Sequence, residues 1–146
     1  MDETVQNFVQ CKRIAVVSVS RDAKKFGNAI YTELKKRGYQ VYAVNPSIQD
    51  LAGEPCYPGL EALRGKIDGA VICLQPAKIT AVLQEAAQIG LHNIWLQQGS
   101  ESPEVLKTAR DLGLNPVSKK CILMYATPVQ SFHKFHRFVM KLAGQL

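Results

Sequence analysis

Three cations lie on a polar segment between an apolar run and a helical pattern near the start of the chain. They are Arg21, Lys24 and Lys25, and the helical pattern after them begins at Gly27 and Asn28. The first turn of a helix exposes N–H groups without partners and carries the positive end of the helix dipole. Both attract phosphate groups. We therefore expect this segment to bind an anionic ligand.

The glycine-rich fingerprint of dinucleotide-binding proteins is absent from this loop. Ser18 and Ser20 stand where its first glycines would lie, and the nearest loop glycine is Gly27. The second apolar run ends in Asn45 and Pro46, without the carboxylate that binds the ribose in NAD enzymes. Both observations argue against a standard NAD-dependent dehydrogenase.

Strand and helix patterns alternate along the chain. Apolar, β-branched runs predict strands at 14–20, 41–46, 69–74, 93–97 and 115–117, with a short edge strand at 56–57. Helical spacing predicts helices at 4–10, 27–37, from Pro76 to Gly90 and from Ser102 to Gly113, with one helical turn at 60–63. This alternation predicts an α/β, Rossmann-like fold: a doubly wound, mainly parallel sheet with helices on both faces.

Length and composition place narrow limits on the class of protein. We expect the 146 residues to form a single domain, 1–146, and 47% of them are hydrophobic. No apolar run is long enough for a membrane span, and Met1–Thr4 lacks the pattern of a secretory signal. The four cysteines form no Cys-x-x-Cys pair, which favours reduced thiols, no zinc site and a cytoplasmic location.

Positive charge is concentrated toward the end of the chain. No acidic residue follows Asp111, whereas five basic residues do. We expect 128–144 to form a basic amphipathic helix that docks on the sheet or pairs with a second copy or a partner protein. Its charge would also attract phosphate or nucleic acid, but the aromatic and glycine signatures of single-strand binding are missing. A nucleic-acid partner is therefore not favoured.

Six ordered motifs carry a resemblance that covers about residues 12–122. They are Val17–Asp22 with Lys25–Gly27, Val44–Pro46, Gly53–Pro58, Cys73–Pro76, Ile94–Gly99 and Cys121. In these motifs the chain resembles the small CoA-binding-domain proteins and the N-terminal domain of the succinyl-CoA synthetase α subunit. It departs from their pattern at Ser18–Ser20, where glycine and alanine are more common, and at Ala23, where proline is common.

The resemblance implies that CoA or an acyl-CoA binds across the carboxyl ends of the strands. The residues implied around the diphosphate and adenosine are Ser18, Val19, Ser20, Lys25, Phe26, Gly27, Asn45 and Pro46. Those implied along the pantetheine arm are Leu74, Gln75, Pro76, Leu96, Gln97, Gln98 and Gly99, and Cys121 belongs to the matching set. The phosphohistidine and second domain of the synthetase have no counterpart here, so the resemblance implies no ligase activity.

Several residues leave other interpretations open. His133 and His136 have the spacing of two metal ligands on a helix, although a docking helix with incidental histidines is the simpler interpretation. Cys121 follows two lysines that would lower its pKa, so an acyl-CoA-handling enzyme using Cys121 or His133 is one alternative. A sensor that binds NAD(P) or another adenine nucleotide is the other. Trp95 lies within a strand, where we expect a core residue. The leading hypothesis is a CoA-binding protein without catalysis.

Overall fold

A seven-stranded sheet organises the described part of the chain, which in this computed structural model comprises residues 3–17, 26–48, 50–51 and 53–126. The strands are β1 (Arg13–Val17), β2 (Gln40–Val44), β3 (Asp50–Leu51), β4 (Glu54–Tyr57), β5 (Gly69–Ile72), β6 (Asn93–Gln97) and β7 (Asn115–Lys120). The α-helices within these ranges are α1 (Glu3–Val9), α2 (Phe26–Lys36), α3 (Ile79–Gln88) and α4 (Pro103–Asp111). Short 3-10 helices occur at Leu60–Leu63, Pro76–Lys78 and Ile122–Met124.

The strand order is β3-β4-β2-β1-β5-β6-β7. All neighbouring pairs are parallel except β3 and β4, which pair antiparallel. The doubly wound, mainly parallel sheet expected from the sequence is therefore confirmed. The predicted edge strand at 56–57 is corrected: it belongs to β4, which lies between β2 and the outer strand β3.

Each strand sends alternate side chains to opposite faces of the sheet. In β1, Ile14 and Val16 join a core cluster with α1 and α2, whereas Ala15 and Val17 join a second cluster with α3 and α4. Trp95 on β6 is fully buried in the first cluster, as expected from its place in a strand. A sheet covered on both faces explains why the strands are continuous apolar runs rather than alternating ones.

The helix ends follow from local signals in the sequence. The Ser102 hydroxyl accepts a hydrogen bond from the Val105 N–H at 3.1 Å, which confirms it as the N-cap of α4. Gly90 and Gly113 follow α3 and α4 with φ angles of 74° and 76°, in the left-handed region that ends helices readily only at glycine.

Some boundaries differ from the sequence expectation. β1 ends at Val17 within the described residues, β5 ends at Ile72 rather than 74, and β7 continues to Lys120. The helix expected from Pro76 begins with a 3-10 turn before α3. The predicted helix at 128–144 lies outside the described residues. Among the helices that are described, none is long and apolar enough to cross a membrane.

Candidate functional site

The carboxyl ends of β1, β2 and β5 meet at one edge of the sheet. From β1 the chain passes to β2 on one side, whereas β5 leads to β6 on the other side. Connections that leave neighbouring strands in opposite directions open a crevice between them, and α/β sheets bind ligands there. A ligand site is therefore expected at this edge.

A cavity of about 460 Å³ lies at this edge, between the ends of these strands and α3. Its volume falls in the range of about 300–1,000 Å³ that is typical of ligand sites. The predicted site residues Asn45, Pro46 and Leu74 line it. The remaining lining residues are Val17, Val44, Ser47, Pro58, Gly59, Leu60, Lys78, Ala81, Val82 and Glu85.

The turn at Asn45 gives the cavity a fixed wall. The Asn45 N–H donates to the Tyr57 carbonyl at 2.9 Å, which continues the β2–β4 ladder by one bond. The Asn45 side-chain oxygen accepts from the Ser47 N–H at 2.8 Å, an Asx turn that closes around Pro46. Pro46 is exposed and lines the cavity.

The start of α2 lies at the same edge, because this helix follows β1. Gly27 and Asn28 are buried in its first turn. The positive end of the α2 dipole therefore lies at the carboxyl edge of the sheet, although no described residue of α2 lines the cavity. The predicted phosphate-binding residues Ser18, Val19, Ser20, Arg21, Lys24 and Lys25 lie outside the described residues, as does the side chain of Phe26. Their role stays a prediction.

The residues predicted along the pantetheine arm divide into two groups. Gln75 is exposed beside the main cavity, and Pro76 lines a second cavity of about 530 Å³ against the start of α4. Leu96 is fully buried, whereas Gln98 and Gly99 are exposed beyond the end of β6. None of these five residues lines the main cavity, so a contact with ligand stays a prediction for them.

Gln97 is engaged within the protein. It is 2% exposed, and its side-chain oxygen accepts a hydrogen bond from the Ile122 N–H at 3.1 Å. Ser100, which the sequence analysis did not single out, is also buried, and its hydroxyl donates to the Ile72 carbonyl at 3.2 Å. These two bonds attach the end of β6 to the segment after β7, and the loop after β6 to the end of β5.

Two thiols lie near the carboxyl edge. Cys73 is half-buried after β5, and burial together with charge repulsion from Cys121 raises its pKa to about 12. A thiol with so high a pKa stays protonated at neutral pH, which removes its nucleophilicity. Cys121 is half-buried directly after β7, two residues beyond Lys119, whose φ of 64° lies in the left-handed region.

Metal chemistry finds no support in the part of the chain that the structure describes. No group of three or more His, Cys, Asp or Glu side chains there is placed to hold an ion. The two histidines singled out from the sequence, His133 and His136, lie outside the described residues, so the interpretation of that pair is untested.

Lys78 and Glu85 are the functional candidates that sequence reasoning missed. Both belong to the face of the α3 region that lines the cavity, together with Ala81 and Val82. The spacing of these four positions places them on one side of a helix, and the sequence already contained that signal. The apolar residues Ile79, Leu83 and Ala86 on the buried side of the same helix predict packing and carry no indication of a ligand site.

The sequence of the chain is similar to that of a known protein family and of longer enzymes. The family model described as "CoA binding domain" matches residues 12–127. The chain is 25% identical to the ADP-forming acetate–CoA ligase I of Archaeoglobus fulgidus, over 86% of this chain and 20% of the ligase. The chain thus spans about a fifth of the length of that relative.

The fold of the chain is also similar to solved structures. A conserved hypothetical protein from Pyrococcus furiosus matches with a TM-score of 0.73 and 30% identity, over 77% of this chain and 97% of that one. The dinucleotide-forming acetyl-coenzyme A synthetase 1 of Candidatus Korarchaeum cryptofilum matches with a TM-score of 0.63 and 27% identity, over 73% of this chain and 25% of the synthetase.

Proposed function

Because the chain belongs to the CoA-binding domain family, we propose that it binds coenzyme A or an acyl-CoA at the carboxyl edge of its sheet and catalyses no reaction of its own. The single observation that carries the proposal is the cavity of about 460 Å³ at the point where the chain connections diverge. The relatives whose names include a ligase or synthetase activity are several times longer than this chain. Their activity is therefore not part of the proposal.

The lining of the cavity suits the adenosine part of the coenzyme. Pro46, Leu60, Leu74 and Val82 give the cavity an apolar lining that suits a flat base. The start of α2 lies at the same carboxyl edge of the sheet, where its dipole would favour the diphosphate. The pantetheine arm would then leave along the edge toward the ends of β5 and β6.

Thermal unfolding with added ligands tests the proposal. We expect CoA and acetyl-CoA to raise the melting temperature, and NAD, NADP and ATP to raise it less at equal concentration. A ligand present at 100 times its dissociation constant adds about 2.7 kcal/mol to the free energy of unfolding. Stabilisation by NADH without stabilisation by CoA would instead support the adenine-nucleotide sensor.

A paired substitution on α3 tests the location. Ala81 is exposed and lines the cavity, so Ala81→Phe should fill it and weaken CoA binding at least about tenfold by steric exclusion. Gln84 is exposed on the same helix and lines neither cavity, so Gln84→Phe is the matched control and should bind as the parent does. Titration calorimetry measures both. Equal affinity of the two variants would place the ligand elsewhere.

A further inference from the structure

The Glu85 carboxylate occupies a defined position in the wall of the cavity. Its Oε1 accepts a hydrogen bond from the Glu61 N–H at 2.9 Å, which joins α3 to the 3-10 helix at Leu60–Leu63. The carboxylate also lies against Gly59, where an added Cβ would approach Oε1 to 2.6 Å. The bare glycine therefore makes room for Glu85, and the hydrogen bond fixes its orientation.

Among the residues that the structure describes, none donates a hydrogen bond to the second oxygen of this carboxylate. Within the described part of the chain, the bond from the Glu61 N–H is the one hydrogen bond that Glu85 makes, and Glu85 forms no ion pair there. The side chain is half-buried and lines the cavity. Oε2 is thus a charged acceptor available to a donor on a bound molecule.

The two charged side chains among the described lining residues have opposite signs and lie at different positions along α3. Lys78 lies beside the carboxyl edge, where α3 begins, and Glu85 lies seven residues further along the chain. At a rise of 1.5 Å per residue this separation is roughly 10 Å along the helix. The cavity therefore offers a cation where α3 begins and an acceptor two turns further along this helix.

These charges determine which way round a nucleotide fits. A phosphate is repelled by Glu85 and attracted by Lys78 and by the start of α2 at the carboxyl edge. The 5′-diphosphate of the nucleotide therefore lies near the strand ends. The base then points toward Glu85. Resting on the proposed function, we propose that Glu85 Oε2 accepts a hydrogen bond from the 6-amino group of adenine and so makes the site selective for that base.

The variant Glu85→Gln separates this role from a structural one. The Gln carbonyl oxygen retains the bond from the Glu61 N–H, and its NH₂ group then replaces Oε2 in the cavity. A donor now faces the donor of adenine. Glu61→Gln is the matched control, because the Glu61 side chain pairs with Arg64 and does not line the cavity.

Calorimetric titration of each protein would use CoA and the CoA analogue that carries hydrogen in place of the 6-amino group. We expect the parent and Glu61→Gln to prefer CoA by at least about tenfold, since hydrogen bonds to charged groups are strong. In Glu85→Gln the preference should vanish. The 2′-deoxy analogue of CoA serves as a third ligand that tests a ribose contact.

Each outcome bears on a separate statement. If the parent binds CoA, and Glu85→Gln prefers CoA over the 6-hydrogen analogue as strongly as the parent does, the role proposed for Glu85 is wrong. CoA binding itself then stands. If Glu85→Gln instead abolishes only the discrimination against the 2′-deoxy analogue, Glu85 binds the ribose and the base assignment is overturned. If the parent binds none of these ligands, the proposed function itself fails.

Discussion

The Cys73 thiol shows how strongly one side chain can depend on its surroundings. Its pKa rises from 9.0 to about 12, first because burial disfavours the thiolate and second because Cys121 lies near enough to repel its charge. Cys11 at the other edge of the sheet is buried as well, and its pKa rises to about 11. Both thiols stay protonated in the folded protein under conditions that ionise them in the unfolded chain.

This difference predicts a loss of stability in alkali. A pKa raised by folding contributes fully below the unfolded value, and that contribution is lost as the pH rises from 9.0 toward about 12. Over that interval Cys73 should lower the free energy of unfolding by about 1.4 kcal/mol per pH unit. Urea unfolding of the parent and of Cys73→Ala across this range measures it. Identical slopes for the two proteins would contradict the raised pKa.

The helix α4 is an element whose stability rests on its first turn. The Ser102 hydroxyl caps the Val105 N–H, Pro103 occupies the first position, and Glu104 lies near the positive end of the dipole. These three features are local, so they are legible in the sequence. They fix where the helix begins, and Val105 and Ala109 then bury its inner face against the sheet.

Removing the cap should weaken the whole domain measurably. Ser102→Ala leaves the Val105 N–H without its acceptor, and we expect the free energy of unfolding to fall by about 1 kcal/mol. Ser102→Asp supplies another acceptor and should restore most of the loss. Chemical denaturation followed by circular dichroism measures both. An Asp variant as unstable as the Ala variant would show that the hydroxyl acts through something other than capping.

The same contrast between local and distant determinants explains what the sequence could predict. β6 was predicted at its observed bounds because an apolar run carries its own signal. β3 was missed because a strand of two residues, Asp50 and Leu51, is defined by its pairing with β4. Asn45, Pro46 and Leu74 were implied by the family resemblance, and they line the cavity at the strand ends. Glu85 lines it because α3 packs beside Gly59, a contact between segments distant in the sequence.

At the scale of the whole molecule, the sheet holds α1 as part of the core. The Phe8 ring packs edge-to-face on Trp95, with centroids 5.2 Å apart, and it is 1% exposed. Trp95 in turn donates from its indole N–H to the Lys120 carbonyl at 2.9 Å and contacts the Tyr125 ring. One aromatic cluster thus connects α1, β6 and the end of β7.

Truncating this cluster should destabilise the entire domain. Phe8→Ala leaves a cavity beside Trp95 and should cost about 3–5 kcal/mol, whereas Val9→Ala, which is half-buried on the same helix, should cost less. Trp95 is the one tryptophan of the chain, so its fluorescence reports the unfolding directly. Coincident fluorescence and circular dichroism curves would show one cooperative transition. A loss below about 1 kcal/mol for Phe8→Ala would show that α1 is an appendage.

The division of the core by the sheet has a practical consequence for redesign. None of the cavity-lining residues belongs to the cluster that contains Trp95, whereas Val17, Val44 and Leu60 belong to the other one. Substitutions that raise the melting temperature can therefore be combined around Trp95 without changing the shape of the cavity at the carboxyl edge. Conversely, a library of variants restricted to the cavity-lining residues would change ligand selectivity while the core on the other face of the sheet stays unchanged.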